Sequence, residues 1–313
     1  MKKLFKVFLC IVVLFSMQSI ISAQIGYSIT DNNRDATGLE QQYYSFDFAT
    51  GQGTLIQNLG GLRREYEGIA SIGSILIGIA EFDGELCNTG SDPITGLSSD
   101  VRIFRTTGVG PQIGETCFDF GSESAAAYNP VDGYLYAIAS DDLLPATAPR
   151  SKLYRVSPTT GLATQIGATA GIEKTTGSGG DQFPYIDGLA ILPNGFCYGS
   201  EARFSNNGNG ERAGLYRIFL TGPSAGRATF VKNLLDFDAN RDTALANLNN
   251  GTMYFMLEDG RVYIGNANDS NAFTPASFPG GGNTVTSPGC LRPTPFCGDF
   301  EGLDLPNNGA GLR

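Results

Sequence analysis

The sequence predicts an all-β protein: a five-bladed β-propeller of four-stranded blades, with the last blade shared by the N- and C-termini. Three observations carry this expectation. A short phrase recurs five times at near-even spacing, each copy is followed by further β-like runs with no long helical period, and the two ends of the chain supply complementary parts of one unit.

The phrase is an acid, a small residue and a short apolar stretch that runs into an Asn, Gly or Pro turn. It appears as Glu67-Gly-Ile-Ala-Ser-Ile-Gly73, then as Glu123-Ser-Ala-Ala-Ala-Tyr-Asn-Pro130 and Asp187-Gly-Leu-Ala-Ile-Leu-Pro-Asn-Gly195. It returns as Asp242-Thr-Ala-Leu-Ala-Asn-Leu-Asn-Asn-Gly251 and as Glu301-Gly-Leu-Asp-Leu-Pro-Asn-Asn-Gly309. The aligned small residues are Gly68, Ala125, Gly188, Ala244 and Gly302, which stand 57, 63, 56 and 58 residues apart. Second runs follow, among them Ile75 to Ala80, Tyr134 to Ala139 and Thr252 to Met256. Third runs carry an aromatic in register, at Tyr44, Phe104, Tyr154, Tyr216 and Tyr263, read as packing between adjacent sheets. Fourth runs follow a turn, most plainly at Leu153 to Gly167, where Pro158-Thr-Thr-Gly161 separates two β-like stretches. Four strands per unit at a fixed period predict propeller blades.

The fifth unit has only its first strand, Phe300 to Leu305. The N-terminal runs Ile25 to Ile29, Gln42 to Phe48 and Gly53 to Ile56 match the second, third and fourth. Joining them completes one blade and removes the open sheet edges that invite aggregation. The Gly/Pro-rich segment from Ala272 to Gly298 offers no clear fourth strand for the preceding unit.

The first 23 residues read as a secretory signal peptide: Lys2, Lys3 and Lys6, an apolar run from Val7 to Met17, and Ser22-Ala23 before Gln24. Residues 24–313 are then a single propeller domain, secreted, periplasmic or at the cell surface, without a membrane span and monomeric. The run is short for a spanning helix, which needs about 20 apolar residues. The whole chain has a formal charge of -10, and loss of the three lysines takes it to -13. An acid excess of that size argues against nucleic-acid binding, which needs Lys and Arg at phosphates, and suits cations or basic partners.

Five cysteines follow the leader. Cys290 and Cys297 flank a short Pro-containing loop and form one expected disulfide; Cys87 and Cys117 form a second; Cys197, in an apolar stretch, reads as a buried thiol.

Leu153 to Gly167 and Asp187-Gly-Leu-Ala190 resemble repeats of secreted bacterial propellers of the quinoprotein-like and lactonase-like groups. Glu67-Gly68 and Glu301-Gly302 are similar to the Glu-Gly at the channel mouth of sugar-lactonase and phytase-like propellers. The resemblance implies carboxylates that face a central channel, where such a glutamate can ligate calcium.

In a propeller the connections alternate between two faces. Here those from strand 1 to 2 and from 3 to 4 are short, as at Asn194-Gly195 and Thr159-Thr-Gly161. The others are long, spanning roughly 31–41, 81–100, 140–151, 170–184, 201–213 and 268–298. Long loops on a rigid scaffold are where function concentrates. Glu67, Glu123, Asp187, Asp242 and Glu301 mark where those loops run into the innermost strands, so they either ring one channel mouth as a ligand site or each cap backbone N–H groups of their own blade. Asp236-Phe-Asp238-Ala-Asn240-Arg-Asp242 spaces oxygen side chains at alternate positions, as calcium loops do, though Arg241 and Asn247 exclude an EF-hand.

The chain has no histidine, which removes Ser-His-Asp catalysis and His-ligated metals. Tryptophan is absent too. The expected function is an exported, non-catalytic binding or scaffold propeller for an extracellular protein or glycan, with Ca2+ on its long-looped acidic face. The alternative is a carboxylate- or calcium-dependent hydrolase, glycosidase- or lactonase-like, at the channel mouth.

Overall fold

A computed structural model of the chain describes residues 24–30, 41–59, 66–80, 101–116, 118, 123–141, 144, 148–168, 170–175, 182–201, 213–235, 243–248, 250–288 and 300–305. They form 21 β-strands. The N-terminal strands are β1 (Ile25–Thr30), β2 (Gln42–Asp47) and β3 (Gln52–Asn58). Blade 1 is β4 (Tyr66–Ile72), β5 (Ile75–Ala80), β6 (Val101–Arg105) and β7 (Gly108–Gly114). Blade 2 is β8 (Glu123–Asn129), β9 (Tyr134–Ser140), β10 (Ser151–Val156) and β11 (Ala163–Ile166). A two-residue strand, β12 (Glu173–Lys174), precedes blade 3, which is β13 (Gly188–Ile191), β14 (Cys197–Glu201), β15 (Gly214–Ile218) and β16 (Arg227–Asn233). Blade 4 is β17 (Thr243–Asn247), β18 (Thr252–Leu257), β19 (Val262–Asn266) and β20 (Thr274–Pro275), and the last strand is β21 (Phe300–Asp304).

Each blade is an antiparallel meander with its strands in sequence order, and the closing blade has the order β21-β1-β2-β3. β21 pairs with β1 through Thr30↔Phe300, Ile29↔Glu301 and Tyr27↔Asp304, and the Ser28 hydroxyl donates to the Gly302 carbonyl across the irregular step. The innermost strands touch in the cyclic order β4, β8, β13, β17, β21 and back to β4. The predicted five-bladed ring with its two-ended closure is therefore what forms.

The apolar residues sort into five clusters, one at each seam between blades. Each cluster holds one of the five aromatics picked out by the repeat, facing the preceding blade. Tyr154 packs on Ala70, Ile77, Ile79 and Val101 of blade 1. Tyr216 packs on Tyr136, Ile138 and Leu153 of blade 2. Tyr263 joins Tyr198 and Leu215 of blade 3, and Tyr44 joins Met256 and Val262 of blade 4. Phe104 meets Tyr27, Ile29 and Tyr43 of the closing blade, with its ring edge-on to Tyr43 at 5.1 Å and to Tyr66 at 5.4 Å. All five are at most 5% exposed, so they are packing residues rather than a binding stripe. Gly78 makes room for the Phe104 ring, since a Cβ there would stand 2.2 Å from Cε2. Cys197 lies fully buried in the seam between blades 2 and 3, a free thiol whose pKa burial pushes up.

Two details differ from the sequence reading. The long connection expected across 268–298 contains the fourth strand of blade 4, reduced to Thr274–Pro275 and supplemented by a bridge from Arg261 to Thr284. Residues 267–273 therefore form a strand 3-to-4 turn, which belongs to the short-turned face. Proline offers no N–H, which explains why this edge strand is so short. In blade 3 the incoming connection lays β12 parallel along β16, a fifth strand that covers the outer edge.

Candidate functional site

The innermost strands all begin on the face of the long connections, so the repeated acids sit at one end of the ring. Glu67 lies on β4 and is buried; its Oε2 accepts the backbone N–H of Ser124 on β8, the first strand of the next blade, at 2.5 Å. The Ser124 hydroxyl accepts from the Gly68 N–H at 3.0 Å and donates to the Ile79 carbonyl at 3.2 Å. Asp187, just before β13, repeats the arrangement with blade 4. Its Oδ2 accepts the Thr243 N–H at 2.8 Å, and its Oδ1 accepts the Thr243 hydroxyl. Ser200 on β14 bonds the same Thr243 hydroxyl at 2.8 Å. In both cases the acid of one blade holds the residue after the acid of the next, so these two carboxylates cap backbone across a seam.

The small residue after each acid explains how the strands come this close. A Cβ on Gly68 would lie 3.1 Å from Ala125 and Ala126, and one on Gly188 would lie 2.9 Å from the Leu245 nitrogen. Gly302 is the tightest: its φ is +59° and a Cβ would sit 1.9 Å from the Glu67 carbonyl oxygen. Glu301 occupies the matching position on β21, one residue before Gly302, whereas Glu123 opens β8 one position earlier in the repeat, two residues before Ala125 and paired with Ser140. Asp242 lies outside the described residues, as do Asp236, Asp238 and Asn240 and the cysteines Cys87, Cys117, Cys290 and Cys297. Among the described residues, no three Cys, Asp or Glu side chains converge into a metal-binding group.

One further carboxylate was not singled out by the sequence. Asp304, two residues past Gly302, occupies the repeat position held by Ala70, Ala127, Ala190 and Ala246 in the other four blades. It lines a narrow cavity at the far half of the central channel, where every innermost strand contributes and Ser71, Tyr128 and Asn247 are the other polar residues. The free space, about 10 Å³ for water centres, has room for one water molecule and none for a sugar ring. Asp304 Oδ2 is shielded from solvent without a hydrogen-bond partner, and so is the Tyr43 hydroxyl in the same seam. Burial pushes the Asp304 pKa up to about 7, against opposing hydrogen bonds from Ser71 and from the Leu305 backbone. Burial, with a smaller contribution from the Asp304 charge, raises Tyr27 and Tyr43 in turn. The signal for Asp304 was present in the repeat, as the one break in a column of alanines.

Fold and site together define a five-bladed propeller in which two carboxylates at one end of the ring, Glu67 and Asp187, each hold the next blade. No known family pattern and no curated protein matches the sequence. Solved structures do resemble it. A protein of unknown function from Bacteroides thetaiotaomicron aligns at 15% identity and a TM-score of 0.45, over 74% of this chain and 53% of the other. This chain thus spans about half the length of that protein. TolB from Acinetobacter baumannii aligns over 94% of this chain and 69% of its own at 12% identity and a TM-score of 0.41. A putative 6-phosphogluconolactonase from Bacteroides uniformis aligns over 81% and 67% at 14% identity and a TM-score of 0.36. The fold itself rests on the strand order described above.

Proposed function

We propose that the chain is an exported binding or scaffold propeller whose long-looped face recognises an extracellular protein or glycan, with Ca2+ held by Asp236, Asp238, Asn240 and Asp242. Glu67 and Asp187 tie adjacent blades together at the base of that face, and Glu123, Asp242 and Glu301 are the acids of the other three copies of the repeat that would bind the ligand with them. The observation that carries this reading is the engagement of Glu67 and Asp187 in the frame: each is buried and accepts a backbone N–H from the next blade. A hydrolase at the same mouth would need such carboxylates available to substrate and water.

The test begins with a melting curve. EDTA should lower the melting temperature of the mature protein and added Ca2+ should restore it, while Asp238→Ala should melt at the same temperature with or without chelator. An unchanged wild-type curve would sink the calcium assignment. Turnover of an aryl glycoside or a sugar lactone, lost in Glu301→Gln, would transfer the site to a hydrolase.

A further inference from the structure

The opposite, short-turned face carries a surface that the proposed function does not use. Five large apolar side chains are exposed among the described residues: Val131 (66%), Leu162 (59%), Phe230, Phe196 and Tyr134. Four of them lie in the turns at the short-turned end of two adjacent blades. Val131 and Tyr134 belong to the β8–β9 hairpin, Leu162 to the β10–β11 turn, and Phe196 to the β13–β14 turn. Val131 bridges the two blades, since a Cβ on Gly195 would lie 3.1 Å from its Cγ2. Single exposed apolar residues need no explanation, but four of the five such side chains among the described residues fall at this one end of blades 2 and 3.

The two rings in these turns, Tyr134 and Phe196, are each paired with an arginine from the neighbouring strand. The Arg155 guanidinium stands 4.6 Å from the Tyr134 ring centre, and the Arg217 guanidinium 3.4 Å from that of Phe196. The two pairs are built alike. Arg155 lies opposite Tyr136 and Arg217 opposite Tyr198, each two residues past its ring. The three other blades place Ile25, Ile75 and Thr252 at the ring position, and Ser45, Ile103 and Ile264 at the arginine position. Packing within a blade therefore does not require the pair; blades 2 and 3 alone carry it. Neither arginine makes an ion pair among the described residues, although the chain carries a charge of -10. The acid nearest by, Asp132, is held by the Tyr136 hydroxyl and the Tyr134 N–H.

We propose that this end of blades 2 and 3 docks a short acidic segment of a partner protein, with an apolar side chain seated against Val131 and Leu162 and flanking carboxylates on Arg155 and Arg217. The chemistry selects this occupant. Tyr, Phe and Arg are the residue types enriched at binding hot spots. Unpaired guanidinium groups favour carboxylates. Exposed Val and Leu offer contact to aliphatic side chains, whereas a sugar would want open ring faces, and each ring here has a guanidinium over one face. Six side chains also fall well short of the roughly 20–30 residues a side that a stable dimer uses. This inference does not depend on the proposed function of the long-looped face.

The test uses random peptides displayed on phage, selected on the immobilised mature protein and then measured as synthetic peptides by fluorescence polarisation. Selected peptides should combine Asp or Glu with Leu, Ile or Phe. They should bind more weakly as salt rises and lose about tenfold or more in affinity to the Arg155→Ala/Arg217→Ala double variant. The exposed control Phe230→Ser should bind them as wild type does, and all variants should melt with the parent. Failure to enrich any peptide, peptides without acids, or equal binding to the double variant would each overturn the proposal. So would binding of polygalacturonate through the same arginines, which would assign a glycan. Concentration-dependent dimers abolished by Val131→Asp would assign a second copy instead.

Discussion

Asp304 is a carboxylate at a position where four blades hold alanine, and its charge has nowhere to go. Its folded pKa of about 7 lies above the ordinary aspartate value near 4. The folded state therefore keeps a proton that the unfolded chain releases. Between about pH 4 and pH 7 the unfolded state binds fewer protons than the native state, so stability falls as pH rises through that window. Below it both states are protonated and this residue's contribution is fully present; above it that contribution is lost, on the order of a few kcal/mol. Urea unfolding of wild type and Asp304→Asn across this range should show the variant gaining on wild type as pH rises, with the gap levelling off above pH 7. Parallel pH profiles would mean that Asp304 ionises freely in the folded ring. The column of alanines made this residue legible in principle. Its environment was not, because Tyr27, Tyr43 and Ser71 reach it from strands distant in the chain.

At the scale of elements, the seams matter more than the blades. The third-strand aromatics were legible as packing residues because they recur in register, and the structure gives each a seam of its own. Phe104 serves the closing seam, where Tyr43, Tyr66 and Leu76 surround it. Phe104→Ala should cost about 3–5 kcal/mol, the range for an emptied aromatic site in a rigid core, read as a lowered urea midpoint. A change below about 1 kcal/mol would mean that the seam refills by collapse. The acids were legible as a set, but their partners were not. Whether a carboxylate faces a channel or caps a neighbour depends on the backbone of another blade: for Glu67 that is Ser124, and for Asp187 it is Thr243. The fourth strand of blade 4 escaped because Thr274–Pro275 has neither alternation nor β-branched density, and β12 escaped because two polar residues carry no period at all.

For the whole molecule, closure was legible from the two incomplete ends, and it makes one strand disproportionately important. β21 pairs with β1 and packs against both β17 and β4, with Phe300 edge-on to Phe46 at 5.1 Å. Ending the chain before Phe300 would uncover Tyr44, Phe46 and Phe48 and leave the β1 edge unpaired. Such a truncation should elute as aggregate in gel filtration, whereas a soluble product with the parent's melting temperature would show that the ring tolerates a missing innermost strand.

The closing blade also decides how the ring can be hung. Where the other blades have a strand 1-to-2 turn, this one has a gap, with Leu305 leaving and Gln24 arriving beside each other near the paired Tyr27 and Asp304. Both polypeptide exits thus open on the short-turned side. A fusion joined directly at Leu305 or Gln24 would meet the propeller on its short-turned side, with the long connections at the opposite end of the ring. The break in the ring thus sets one side of the propeller for anything joined there, and splicing Leu305 to Gln24 through a short turn would give this blade the same strand 1-to-2 connection as the others.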